Sequence, residues 1–399
     1  MYNNNVLIII ERDCIDMEME ENESYKKKPV DKKRKILSLS LIIISIAIVV
    51  YVIVDGLKGD AADTQKYSFI TVFNQWMRNW PYFLFALLLY FIAILLETLK
   101  ISLMIRSKTK KMNLKIALKT TILGKYYDNI TPLGSGGQPF QIYQLKKSGL
   151  TGGQAGSIPI VSFFLSRLGF TILCLLAFII APAKNIDNTI RIMAYIGCAI
   201  TFFVPFLIIL LSLFPHFMAK VCNSFVSLLS KMHFIKNKEE AKSKITSTLE
   251  SYSDSIKEYR NNKITLVVCF FLSIAFHITI CSIPYFIVKA SIGYGELPVH
   301  DVSYIQCLSL GLYAYASVTY IPTPGTAGAA EFSFSKIFEQ FLRGGFLVYG
   351  MLYWRVITFY LVIIVGLIIT IVSGLKKKHS RISTASNENL ESSNYGKEN

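Results

Sequence analysis

Runs of about twenty consecutive apolar residues leave a chain very few folds, because in hydrocarbon every backbone N–H and C=O must find its partner within the protein, which only helices and closed barrels achieve. Six such runs are present here: Ile36–Val54, Phe83–Ile105, Ile158–Ala181, Ile192–Phe214, Ile264–Val288 and Phe346–Val372. At a rise of about 1.5 Å per residue each suits a bilayer core roughly 30 Å thick. They predict an all-α integral membrane protein with about six full transmembrane helices. Residues 1–35 read as a polar cytoplasmic arm, 36–375 as a polytopic membrane domain and 376–399 as a basic polar cytoplasmic tail. Within the membrane domain, halves of about 36–214 and 263–375 are joined by a cytoplasmic, lysine-rich, helical-looking segment, 215–262.

The formal net charge of +16 would suggest nucleic acid in a soluble protein. Here the basic residues cluster beside the apolar runs, at Lys26–Lys35, Arg106–Lys119 and Lys376–Arg381, as the positive-inside rule expects. That places both termini in the cytoplasm of a multi-pass cell-membrane protein, with anionic lipid rather than nucleic acid beside its basic face. The seven cysteines form no CxxC pair and no cluster with histidine at metal-ligand spacing. A P-loop, HExxH and GxSxG are all absent, so no cofactor, metal or catalytic residue is expected.

Counting crossings isolates two further segments. Starting inside, the first five runs end outside while the lysine-rich tail lies inside, so residues 301–345 must leave the outside and return to it. By the same count, 113–156 leave the inside and return. Each has a Pro/Gly-broken centre, GSGGQP at 134–139 and PTPGTAG at 322–328. Paired interrupted segments entering from opposite faces predict two re-entrant broken helical hairpins, related as an inverted repeat around a midplane site. Segments lying along the membrane surface are the competing reading.

In the first break, Gly134, Gly136 and Gly137 permit close approach and positive φ, and successive N–H groups there can form an anion-binding nest at a helix N-terminus near Gln138 and Pro139. Asn129, Thr131, Ser135, Gln138 and Gln141 add neutral donors and acceptors suited to a headgroup. A helix contact between small residues would account for the same glycines. In the second break, Pro322, Pro324, Gly325 and Gly328 precede Glu331, which can bind in the cavity or cap the following helix. Ionisable residues within membrane segments are costly and face a cavity or a partner. Asp128, Arg167, Glu331 and Arg355 are therefore candidates, the arginines either gripping phosphate oxygens or serving as counterions to Asp128 and Glu331. Glu97 is either functional or reaches the interface beside the basic residues that follow it, and His277 reads as an interhelical hydrogen-bonder.

The ordered set NITPLGSGGQPFQIYQLKKSGL, SRLG at 166–169, PTPGTAGAAE at 322–331 and YWRVITFYLVIIVGL at 353–367 resembles the transmembrane domain of the lysylphosphatidylglycerol synthase/flippase family, over about 36–375. Gly136, Gly137, Pro139, Arg167, Pro324, Gly325, Glu331 and Arg355 occupy its motif positions, while Gln138, Ser166 and Thr326 depart from it. The resemblance implies re-entrant helices around a lipid-accessible cavity, and a membrane domain that flips the aminoacylated lipid made by a cytosolic transferase domain. Only Lys376–Asn399 follows the last run, so no transferase domain is expected. The leading expectation is a flippase or translocator for aminoacyl-phosphatidylglycerol or another lipid-linked headgroup. A phosphatidylglycerol lysyltransferase, and a small-solute carrier or membrane scaffold, are the alternatives. Expected partners are membrane phospholipid and either a separate synthase or further copies of the chain, with no nucleic acid.

Overall fold

A computed structural model describes residues 68–131, 134–182, 186–212, 214, 220, 224, 257, 259, 262–292, 303–321 and 323–373. The predicted arm, the run Ile36–Val54, the tail and all but five positions of 215–262 lie outside these residues, as does Pro322. Every regular element among the described residues is helical: α1 Phe69–Arg78, α2 Trp80–Thr109, α3 Leu114–Ile130, α4 Gly137–Lys147, α5 Gly152–Ile180, α6 Asn188–Ser212, α7 Lys263–Ser291, α8 Tyr304–Val318, α9 Ala329–Phe338 and α10 Gly344–Ser373. Five of them, α2, α5, α6, α7 and α10, are long and apolar enough to cross a membrane. They coincide with the last five predicted runs, extended by a few residues at most ends.

Helix boundaries follow local chemistry. Asn113 caps α3 by accepting the Ile116 N–H at 3.0 Å. Thr151 and Gln154 cap α5 reciprocally, each side chain accepting the other's backbone N–H. Before α2 the chain forms α1, because Ser68 caps it and Val72 and Trp76 give it a buried face. The Trp76 indole N–H donates to Ser291 Oγ at 3.1 Å, and the Asn79 side-chain amide donates to Ala290 O at 3.1 Å and Ile292 O at 2.8 Å, docking α1 against the end of α7.

Lipid tails are as apolar as leucine, so helices associate in a bilayer through close packing and polar bridges. Helix α7 packs along α2 and also touches α5, α8 and α10. Helices α6 and α8 cross so tightly that a Cβ at Gly197 would sit 1.9 Å from Ala316 O. Tyr313 bonds from α8 to Ala181 O, and Tyr353 from α10 to Phe83 O, each at 2.7 Å. Large apolar side chains, among them Phe85, Leu95, Ile179, Phe203, Phe271 and Ile368, stay exposed on the long helices, as a lipid-facing surface requires.

Two hairpins of shorter helices complete the bundle. Helices α3 and α4 have 17 and 11 residues, and α8 and α9 have 15 and 10. At about 1.5 Å per residue none reaches the roughly 30 Å of a bilayer core. The turn of the second hairpin packs against α3, so both glycine- and proline-rich breaks reach one region.

Candidate functional site

In the first break the backbone N–H groups of Gly136 and Gly137 are satisfied from within the chain. Thr131 leaves α3 in an extended conformation, donates its hydroxyl to Tyr127 O at 2.7 Å and accepts the Gly136 N–H at 2.8 Å. Asp128 Oδ1 accepts the Gly137 N–H at 2.8 Å, so α4 starts at Gly137, two residues before Pro139. A carboxylate at a helix N-terminus is favoured by the dipole and by the unpaired N–H groups there. The Gly136 and Gly137 N–H groups, expected to face a guest anion, are therefore engaged by Thr131 and Asp128. Close approach explains both glycines: a Cβ at Gly137 would lie 2.2 Å from Asp128 Oδ1, and one at Gly136 2.7 Å from Thr131 Cγ2. Gly134 turns the chain at φ +60°.

The second break is a single 3-10 turn, Pro324–Thr326, with Gly325 at φ +58° against the Phe359 ring, followed by Gly328 at φ +84°. Glu331, three residues into α9's start, accepts the Gly328 N–H through Oε2 at 2.7 Å. Its oxygens also take a two-pronged grip from Arg355, Nε to Oε1 at 2.7 Å and Nη2 to Oε2 at 2.8 Å. Arg355 further donates to Gly325 O at 3.4 Å and Thr326 O at 3.3 Å. Arg355 is thus the counterion of Glu331 and the clasp of the turn. One wide π turn, Val356–Tyr360, follows it in α10 and brings Phe359 over the guanidinium, 5.1 Å from the ring centre.

Between the breaks lies a cavity of about 580 Å³. Asp128, Asn129, Gly134, Ser135, Gln138 and Gln141 reach it from the first hairpin, Gly325, Thr326 and Ala330 from the second, and Arg167 and Arg355 from α5 and α10. Gly136, Gly137, Pro324 and Glu331, also predicted to bind there, are not among the residues that line it. Glu97 also lines it, paired with the buried Lys100 at 2.9 Å one turn along α2. Lys125 and His277 complete the polar wall, His277 Nε2 lying 3.1 Å from Ser166 Oγ across α5 and α7. Phe163, Phe276, Tyr315, Phe334, Trp354 and Phe359 supply an aromatic surface beside these charges. The space is amphipathic, with mixed charge on one part and rings on another.

Sequence reasoning missed Lys100, Lys125 and Tyr320. A signal existed for two of them: Lys100 stands at i+3 from Glu97 in an apolar run, and Lys125 at i−3 from Asp128, spacings that share a helix face. Tyr320 carried none.

Residues 36–366 match the family model described as the lysylphosphatidylglycerol synthase TM region. No curated protein matches the chain significantly.

Proposed function

The chain belongs to the lysylphosphatidylglycerol synthase transmembrane family, and from that premise we propose that this multi-pass protein translocates a phospholipid or other lipid-linked headgroup across the cell membrane through the cavity between its two broken hairpins. One observation carries the reading: a cavity of about 580 Å³ whose wall joins Lys125, Arg167, Asp128 and Glu97 to a surface of aromatic rings. A headgroup needs the charges and the first carbons of its acyl chains need the rings. The hairpins re-enter from opposite faces on this reading, which the shortness of their helices supports, and both termini are cytoplasmic.

The test is leaflet exchange of headgroup-labelled lipids in liposomes containing the full chain. Asn129→Trp, which places a large ring in the cavity wall, should bring exchange down to that of protein-free vesicles, whereas Tyr143→Trp, on the exposed side of α4, should leave it unchanged. Equal exchange in wild type and Asn129→Trp would sink the proposal.

A further inference from the structure

The cavity wall holds polar groups that the fold itself leaves unused. Arg167 on α5 and Lys125 on α3 form no ion pair among the described residues. Each lies against a ring instead, Arg167 5.1 Å from the Phe163 centre and Lys125 4.4 Å from that of Phe276. Arg167 Nη1, Tyr320 Oη and His277 Nδ1 are buried without hydrogen-bond partners, and all three residues line this one cavity. Buried polar atoms in folded proteins are nearly always paired, so three orphans converging on one space call for a ligand, water or ion between them.

Charge narrows the choice. Lys100, Lys125, Arg167 and Arg355 stand in or against this wall with Glu97, Asp128 and Glu331, four cations to three carboxylates. Each carboxylate already has a donor: Lys100 for Glu97, the Gly137 N–H for Asp128, and Arg355 for Glu331. Lys125 and Arg167 lie within electrostatic range of Glu97, Asp128 and His277, so they belong to the same cluster. One positive charge is left over, and the unused donors sit on the cationic side.

We propose that this cavity selects a phosphodiester-type anion of one net negative charge, gripped by Arg167 and Lys125 with the Tyr320 hydroxyl as a further donor. The proposal deepens the translocation reading and rests on it for the lipid source of that anion. A planar guanidinium offers two parallel N–H groups to one phosphate, a lysine adds a point charge, and a hydroxyl adds a neutral donor. An ammonium on the guest would bring a third cation beside Lys125 and Arg167, which form no ion pair among the described residues, so net-anionic headgroups are favoured over zwitterionic and cationic ones.

The test is calorimetric titration of the full chain in an uncharged maltoside detergent with dihexanoyl phosphatidylglycerol, dihexanoyl phosphatidylcholine, dihexanoyl lysyl-phosphatidylglycerol and dimethyl phosphate. Phosphatidylglycerol should bind about 10-fold or more tightly than the choline or lysyl lipid, and more weakly as salt is raised. Arg167→Gln should weaken it about 10-fold or more, the equivalent of one charge-assisted hydrogen bond. Tyr320→Phe, which removes one oxygen and keeps the ring, should weaken it a few-fold and serves where Arg167→Gln does not fold. Unchanged affinity in either folded variant, or lysyl lipid binding as tightly as phosphatidylglycerol, would overturn the proposal. Dimethyl phosphate binding as tightly as the lipid would support the anion site and assign it to soluble phosphate esters; much weaker binding would support a lipid source. Selective binding without leaflet exchange would refute translocation alone, and exchange without headgroup preference would refute this inference alone.

Discussion

Removing Glu331 is the perturbation whose cost the geometry sets most directly. Its carboxylate takes Arg355 at 2.7 and 2.8 Å and the Gly328 N–H at 2.7 Å, with the residues only 2% and 5% exposed. Glu331→Ala leaves a buried guanidinium whose remaining acceptors are two carbonyls at 3.3 and 3.4 Å. Stranding one member of a buried pair costs about 3–5 kcal/mol, and the lost cap adds about 1 kcal/mol. Glu331→Gln keeps an acceptor for Gly328 and removes only the charge, so its penalty should be visibly smaller. Replacing both partners, Glu331→Met with Arg355→Met, never buries a lone charge and should cost less than the two single losses together. Unfolding of wild type, Glu331→Met, Arg355→Met and the double variant in mixed micelles by added dodecyl sulfate, followed by tryptophan fluorescence, gives the four free energies of the cycle. A coupling of about 2 kcal/mol or more is expected. Additive single effects would refute the clasp, because two groups that do not depend on one another cannot be holding the turn together.

Three further outcomes follow from the geometry. Gly137→Ala drives a methyl into Asp128 and uncaps α4, costing about 1–3 kcal/mol in the same unfolding assay; no loss would show that the Asp128 contact is dispensable. Single cysteines at Ser135 and Thr326 should react with membrane-impermeant maleimide from opposite sides, each far more slowly than one at Ser148 near the base of the first hairpin. Surface-loop rates at Ser135 would instead place that turn on the membrane surface. Asp187 accepts the Ile190 and Thr189 N–H groups at the start of α6, which holds its carboxyl below the usual carboxylate range. Because the folded value is the lower one, this contribution is complete above about pH 4 and is lost as pH falls through that depressed value. The stability difference between wild type and Asp187→Ala should narrow over that acid window, and a difference that persists at the lowest pH would contradict the capping role.

The long helices were legible in the sequence because hydrophobicity alone decides them: a run such as Ile264–Val288 has no alternative to spanning. The interruptions at 134–139 and 322–328 were legible because glycine and proline are clustered there, whereas the single prolines Pro159, Pro205 and Pro284 stay inside α5, α6 and α7. The partners of each break were not. That Asp128 rather than a guest occupies the Gly137 N–H depends on how α4 folds back on α3, nine residues apart in sequence, and that Arg355 serves Glu331 depends on a contact across 24 residues. Helix α1 escaped for a different reason: its polar residues, Asn74, Gln75 and Arg78, resemble loop composition until α7 supplies a surface for Trp76. His277 kept the interhelical bond expected of it, to Ser166.

Where the bonds of each turn lead has a mechanical consequence. Those that fix the first turn return to α3, through Thr131 and Asp128, and those that fix the second return to α10, through Arg355, with Glu331 tying in α9. Each turn is therefore sutured to its own helices, and none of these bonds runs from one turn to the other. On the translocation reading, parting the turns leaves every suture intact and works instead against side-chain contacts between the two sets of helices, such as Tyr126 against Gly366.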